Sequence, residues 1–220
     1  YTLKNGIDYT LSYSDNYYPG TATLTIKGAG IFTGEVKKTF KILPVDISSG
    51  YRLVLTPATV VYDGYLHEAD WSIYKGDQKT YVNGSINYSS SSAAGTYKYI
   101  FTASENYGYK GTLTATFTIK PKSIATADIE LEKTSYTYNG KSKKPTAVVA
   151  LDGVWLMEGS DYTISYSNNK KVGTATVKIT GKGNYAGMAK TTFKIKNLAK
   201  GTVKKDSTGA AKYKITKAGM

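Results

Sequence analysis

The chain is poor in the residues that build most catalytic centres. Its 220 residues include no cysteine and only one histidine, His67. Without cysteine, disulfides, thiolate nucleophiles and cysteine-ligated zinc sites are excluded. A catalytic triad needs a histidine held between a nucleophile and a carboxylate, and a lone His67 beside a "YDG" turn predicts an ordinary, partly exposed side chain. We therefore expect no catalytic residue and no cofactor.

Two further site types are disfavoured by local sequence. The glycines of "GKGNYAG" lie between predicted strands and not at a helix N-terminus, so they do not form a phosphate loop. Asp8 and Asp161 recur in the string G-x-D-Y. Calcium requires about six or more oxygen ligands, whereas each of these turns offers one or two carboxylates. We expect both aspartates to accept backbone N–H bonds, and we expect no metal site.

What the chain does contain is an internal repeat. Residues 3–42 align with residues 156–195 without a gap, with 22 identities in 40 positions. A weaker copy, residues 94–119, follows the pattern of residues 172–195 with two extra residues near Tyr107 and Gly108. The period of 76 or 77 residues exceeds that of solenoid repeats, which is about 20 to 50. It predicts tandem small domains, each with its own core.

The phase of the repeat predicts the domain organisation. We expect a partial module at residues 1–43 that lacks its opening strands, full modules at 44–121 and 122–197, and a β-hairpin tail or the start of a further module at 198–220. The partial first copy predicts that the sequence is a fragment of a longer repeat protein. Each unit is small enough that its stability should be modest.

Each unit is predicted to be all β. In "DYTISYSN" the residues Tyr162, Ile164 and Tyr166 share one face of a strand, as the two-residue period requires. Threonine, tyrosine, valine and isoleucine dominate such runs, and glycine, asparagine and aspartate punctuate them. The strings Asp63-Gly64, Asn139-Gly140 and Asp152-Gly153 predict tight turns. These patterns favour an antiparallel β-sandwich or barrel over any helical class, and β-grasp-like modules remain the alternative.

The repeated strings resemble a known family. The frame Y-D/N-G, "KKPTAVV", L-x-x-G-x-D-Y-T-x-S-Y-x-x-N, G-T-A-T-V-x-I-x-G-x-G-N-Y-x-G and F-K-I is similar to the Ig-like and MBG (YDG-type) repeat modules of large bacterial surface proteins. The resemblance covers about 195 residues. It implies tandem Ig-like β-sandwich modules in a non-catalytic spacer or adhesin segment, extracellular on the bacterial cell surface or secreted. It implies no enzyme.

Aromatic residues give a second set of expectations. Tyr9, Tyr13, Tyr162 and Tyr166 occupy equivalent positions with core periodicity, so we expect half-buried strand residues. Trp71 shares a strand face with Ile73, which predicts a core tryptophan. Trp155 aligns with Thr2 beside the Asp152-Gly153 turn, so the fold does not require it, and at least one face of its ring should reach water.

Charge is concentrated in the C-terminal part of the chain. Of the net charge of +13, residues 122–220 carry +11. Such a field attracts anionic polymers. The alternative function is therefore a module that binds a glycan, an anionic cell-wall polymer or a host surface protein, or a stalk that carries an extracellular enzyme. Its contact residues would be Trp155, Lys143, Lys144, Lys170 and Lys171.

Other partners are less favoured. No recognition helix or nucleic-acid motif accompanies the lysines, so nucleic acid is not the expected ligand. The sequence has no run of 18 apolar residues that would predict a transmembrane helix. We expect a monomer.

Overall fold

The computed structural model describes residues 1–197 and, within the tail, only the short strands Lys204–Lys205 and Ala211–Lys212. The chain divides into two compact units, Tyr1–Lys120 and Pro121–Met220. Both are built from β-strands, and the described residues contain no α-helix. The further separation of residues 1–43 from residues 44–121 stays a prediction.

The first unit contains twelve strands in chain order. They are β1 (Tyr9–Ser14), β2 (Gly20–Gly28), β3 (Glu35–Ile42), β4 (Val45–Asp46), β5 (Tyr51–Thr56), β6 (Thr59–Val61), β7 (Asp70–Lys75), β8 (Gln78–Thr80), β9 (Gly84–Asn87), β10 (Gly95–Ala103), β11 (Tyr109–Lys110) and β12 (Thr112–Lys120). A single turn of 3-10 helix, Glu105–Tyr107, lies where the second copy has its two extra residues.

These strands form four sheets. The first, β1-β2-β3, is antiparallel throughout. A second three-stranded sheet has the order β5-β7-β8, and a four-stranded sheet has the order β6-β12-β10-β9, in which β6 runs parallel to β12. The short strands β4 and β11 form a parallel pair. Every sheet is small, as the short and evenly punctuated strand patterns predict.

One hydrophobic core joins the two larger sheets of residues 44–120. Leu53 and Ile73 contribute from the three-stranded sheet, and Tyr99, Phe101 and Phe117 contribute from the four-stranded sheet. Tyr99 is completely enclosed and accepts a hydrogen bond from the backbone N–H of Ala69 at 2.8 Å through its hydroxyl. Because a buried hydroxyl is costly without a partner, this bond fixes the ring within the core.

The second unit repeats this plan. Its strands are β13 (Lys122–Ser123), β14 (Asp128–Leu131), β15 (Ser135–Thr137), β16 (Ala147–Leu151), β17 (Val154–Leu156), β18 (Tyr162–Ser167), β19 (Gly173–Gly181), β20 (Tyr185–Ala186) and β21 (Met188–Lys196). The sheets have the orders β14-β16-β17 and β15-β21-β19-β18, and β13 pairs with β20. Again the first strand of the larger sheet, β15, runs parallel to β21.

The predicted strand phase of residues 156–195 is confirmed. Tyr162, Val177, Ile179 and Phe193 are buried, while Ile164 and Tyr166 are half-buried. The threonine and serine residues that alternate with them on β18 are exposed. Buried residues also alternate with more exposed ones along β19 and β21. Because side chains of a strand point alternately to its two faces, the two-residue period in the sequence located the core.

Two aromatic expectations are wrong. Trp71 is 40% exposed, and its ring lies tilted against that of the buried Phe101, at a centroid distance of 5.7 Å. It lies at the beginning of β7, where the equivalent module has Ala147; a methyl group fits there, whereas an indole extends past the core. Tyr13 is exposed, because β1-β2-β3 has no second sheet of the β14-β16-β17 kind within residues 1–43.

The three predicted tight turns differ in kind. Asp152 and Gly153 both have positive φ and join the antiparallel strands β16 and β17, as a primed hairpin turn requires. At Asp63-Gly64 and Asn139-Gly140 only the glycine has positive φ, and the turn follows β6 or β15, whose sheet neighbours are not the next strands in the chain. Those two are therefore turns but not hairpins.

The predicted hairpin of residues 198–220 is described only in part. Lys204–Lys205 pairs antiparallel with Ala211–Lys212, and the rest of that segment lies outside the described residues. Within the part of the chain that the structure describes, no helix is long and apolar enough to cross a membrane.

Candidate functional site

The Y-D/N-G string builds the same side-chain arrangement twice. The carboxylate of Asp63 accepts the backbone N–H of Tyr65 at 3.0 Å, and the Nε2 atom of His67 lies 2.8 Å from it. Seventy-six residues later, the amide oxygen of Asn139 accepts the backbone N–H of Lys141 at 3.1 Å. It also accepts a hydrogen bond from Nζ of Lys143 at 2.6 Å.

His67 and Lys143 thus occupy one equivalent position. Each closes a turn by contacting a side-chain oxygen four residues earlier, and this accounts for both residues structurally. The hydrogen bonds from Tyr65 and His67 lower the pKa of Asp63, in that order of importance. In the part of the chain that the structure describes, no three histidine, cysteine, aspartate or glutamate side chains are grouped so as to hold a metal ion.

The lysine residues chosen from the sequence lie around one loop of the second unit. The backbone N–H of Lys143 donates to the carbonyl of Asn169 at 2.8 Å, and the side-chain amide of Asn169 donates back to the carbonyl of Lys143 at 2.7 Å. These two bonds join the segment before β16 to the loop between β18 and β19. The sequence-distant pairs Lys143-Lys144 and Lys170-Lys171 are therefore brought to the same end of the module.

Two open grooves flank Asn169. Lys144 lines one of about 530 Å³ together with Glu158 and Tyr166. The other, of about 480 Å³, is formed by the loop that carries Lys170 and Lys171. Burial is the main cause of a raised pKa for the Tyr166 phenol, whose hydroxyl donates to the carbonyl of Pro145 at 2.7 Å. The phenol is therefore neutral at physiological pH, and the positive charge at this end comes from ammonium groups.

Lys143 contributes less to this positive surface than the other three lysines. Its ammonium group is held by Asn139 and lies 5.9 Å from the centre of the Tyr136 ring. Lys144, Lys170 and Lys171 are exposed. An approaching anion would meet three exposed ammonium groups, and Lys143 would have to give up its contacts with the turn first.

Trp155 is exposed, as predicted, and it belongs to the sheet β14-β16-β17, whereas the loop that carries Lys170 and Lys171 joins two strands of the other sheet. It is 68% exposed on the edge strand β17, paired with Ala150. On the outer face of the same sheet, Ala150 pairs with Asp128, and Val148 pairs with Glu130. The outer face of this sheet therefore carries the carboxylates of Asp128 and Glu130 together with the exposed ring of Trp155. That Trp155 and the four lysines share one contact surface stays a prediction.

The loop between β18 and β19 has an equivalent in the first copy that sequence reasoning missed. Tyr17 and Tyr18 stand where Lys170 and Lys171 stand in the gap-free alignment. They are 83% and 54% exposed, with ring centres 4.8 Å apart. Asp15 and Asn168, both at φ 55°, shape the two loops alike. The alignment already contained this substitution of tyrosine for lysine.

Geometrically, then, the described residues offer exposed loop ends with different chemistry on a repeated scaffold. No protein-family model matches the chain. No curated protein matches it either.

Proposed function

We propose that the chain is a non-catalytic spacer or adhesin segment of a bacterial cell-surface or secreted repeat protein, built from Ig-like β-sandwich modules. The observation that carries this proposal is the contrast between inner and outer positions of the repeat. Ala22, Phe40 and Ile42 are repeated as Ala175, Phe193 and Ile195, whereas the loop ends change from Tyr17-Tyr18 to Lys170-Lys171. A scaffold is kept while its surface varies.

The sandwich form is supported by the two facing sheets. In residues 44–120 a three-stranded and a four-stranded sheet share one core, and the second unit has the same sheet orders. A β-grasp module would place a helix on its sheet, and residues 1–197 contain only one turn of 3-10 helix. Linked modules of this kind supply reach and avidity without chemistry.

Mechanical unfolding tests the spacer proposal. A spacer should transmit force through modules that unfold one at a time, because each has its own core. In single-molecule stretching of the chain we expect separate unfolding events for the two units. Phe193→Ala should weaken only the event assigned to the second unit. One cooperative event for the whole chain would contradict a series of independent modules.

A second function is supported by the lysine residues around Asn169: binding of an anionic glycan or cell-wall polymer. Three exposed ammonium groups at one end of a module produce a local positive field that salt would screen. The test is binding of the full chain to immobilised heparin and to a synthetic polyglycerol phosphate, at low and physiological salt.

Matched variants distinguish binding by the lysines at this end of the module from a general effect of net charge. Lys144→Gln, Lys170→Gln and Lys171→Gln together should abolish binding. The control removes the same charge from the strands with Lys178→Gln, Lys190→Gln and Lys196→Gln, and it should retain most of the affinity. Equal loss in both triples would reduce the effect to net charge. Trp155→Ala should have no effect on binding of these anions, because Trp155 lies near Asp128 and Glu130.

A further inference from the structure

The sheet β1-β2-β3 presents an uncovered apolar face. Leu11, Leu24, Ile26 and Val36 line an open groove of about 700 Å³. Phe40 is 42% exposed, whereas Phe193, its equivalent in the second unit, is 1% exposed. The side chains at this face are those of a core, because the same positions are enclosed in the second unit.

The second unit shows what encloses the equivalent face. Sheet β14-β16-β17 contributes Leu131, Val149 and Leu151 to the buried residues of that unit. These residues belong to the segment 122–153, which precedes the part of the repeat that residues 1–43 copy. The uncovered face of β1-β2-β3 therefore fits a segment with the pattern of residues 122–153.

Backbone pairing points to the same occupant independently. In the second unit β21 is paired on its outer side by β15, and the backbone N–H of Lys194 donates to the carbonyl of Thr134 at 2.9 Å. The equivalent strand, β3, is an edge strand of its three-stranded sheet. A parallel strand with the pattern of Ser135–Thr137 would pair with β3 at the equivalent residues.

A third point of attachment lies at the loop after β2. Tyr185–Ala186 pairs in parallel with Lys122–Ser123 in the second unit, and its equivalent in the first copy is the segment 32–33. In the second unit, the single segment 122–153 contacts the equivalents of all three positions. These positions are the edge of β1-β2-β3, its apolar face and this loop. Edge pairing supplies affinity and the face supplies specificity, as in strand addition.

We propose that β1-β2-β3 is an acceptor surface for a segment with the pattern of residues 122–153, the opening half of a module of this repeat type. In the second unit this segment is joined to the rest of the module by the hairpin turn Asp152-Gly153: Leu151 pairs with Val154 across it, and Val154 is the equivalent of Tyr1. On binding, the segment 1–3 becomes an edge strand equivalent to β17. The buried Asp8 already accepts the backbone N–H of Lys4 at 2.8 Å. Asp161 accepts the backbone N–H of Met157 in the same way in the second unit, so the turn before β1 already has the required conformation.

The test adds residues 122–153 directly before Tyr1 of the full chain, in the register of the repeat. We expect amide hydrogen exchange across Glu35–Ile42 to slow at least tenfold and binding of the dye ANS to fall. The control carries the same prefix with Leu131→Ser, Val149→Ser and Leu151→Ser, which removes three core contacts and keeps the length. It should leave exchange as fast as in the unextended chain.

Two outcomes overturn the proposal. Equal exchange rates with the intact and the serine-substituted prefix would show that the face does not accept this segment. Slow exchange in the unextended chain that depends on protein concentration, with a dimeric mass in sedimentation, would show that a second copy covers the face instead. Neither outcome depends on whether the chain binds glycans or bears force.

Discussion

The sheets β1-β2-β3 and β15-β21-β19-β18 share most of their inward residues, yet they differ in what those residues contact. Ala22 and Ala175 are both fully enclosed, whereas Phe40 is 42% exposed and Phe193 is buried. The identical string T-F-K-I surrounds both phenylalanines. The comparison shows that strand formation in this chain is local, whereas core formation depends on a second sheet drawn from the opening half of each module.

The largest expected effect comes from the two phenylalanines. Phe193→Ala should lower the free energy of unfolding of the second unit by about 3–5 kcal/mol, the usual penalty for removing a buried aromatic ring. Phe40→Ala should cost well under half of that, because its ring is already hydrated. Chemical denaturation followed for each unit measures both, and equal losses would contradict the difference in burial.

Next in size is the aspartate that precedes β18. Asp161 accepts the backbone N–H of Met157 at 2.8 Å, and Asp161→Ala should cost about 1–2 kcal/mol because that N–H loses its partner. Asp161→Asn keeps an acceptor oxygen and should recover most of the loss. Thermal melting of the second unit gives the comparison; a loss as large for asparagine as for alanine would contradict a hydrogen-bonding role.

A smaller effect is expected from the tyrosine hydroxyl that links β18 to the segment before β16. Tyr166 donates to the carbonyl of Pro145, a residue whose side chain is fully buried. Tyr166→Phe should cost about 1 kcal/mol, the net value of one hydrogen bond. Tyr13→Phe, at the equivalent position of the first copy, should change stability little, because Tyr13 is 53% exposed and its hydroxyl can be hydrated. A comparable loss at both positions would refute this explanation.

The smallest effect is expected when the pH is lowered through the titration of Asp63. The pKa of Asp63 is lowered in the folded state, so its contribution to stability is present above the pKa of an unfolded aspartate. That contribution is lost as the pH falls through the lower, folded value. Asn139, the equivalent residue in the second unit, does not titrate. Below about pH 4, amide chemical shifts of Tyr65 should move with pH while those of Lys141 stay constant. Asp63→Asn should remove the movement.

The sequence predicted the repeated features more accurately than the single ones. The internal repeat and the alternation in "DYTISYSN" located the strands and the buried positions of the second unit, because each strand is a local pattern repeated in three copies. Trp71 was placed wrongly, since the room for an indole at the start of β7 depends on how far the facing sheet extends. The exposure of the Trp155 ring was predicted correctly, because the first copy has a threonine, Thr2, at the equivalent position.

The position of the four lysines relative to one another could not be predicted from the sequence, for a physical reason. Lys143, Lys144, Lys170 and Lys171 come together only because backbone and side-chain hydrogen bonds join Asn169 to Lys143 across 26 residues, a contact that neither segment encodes alone. The fold also turns the side chain of Lys143 toward Asn139.

By itself, the amino-acid sequence determined that the chain is a β-repeat protein, where its strands run and which side of each strand is apolar. Those properties depend on neighbouring residues, whose preferences for extended backbone and for turns act locally. Only the tertiary structure decided which apolar sides are covered and which loops meet. Both depend on contacts between strands 20 or more residues apart, and the same string T-F-K-I can therefore close a core at Phe193 and leave a face open at Phe40.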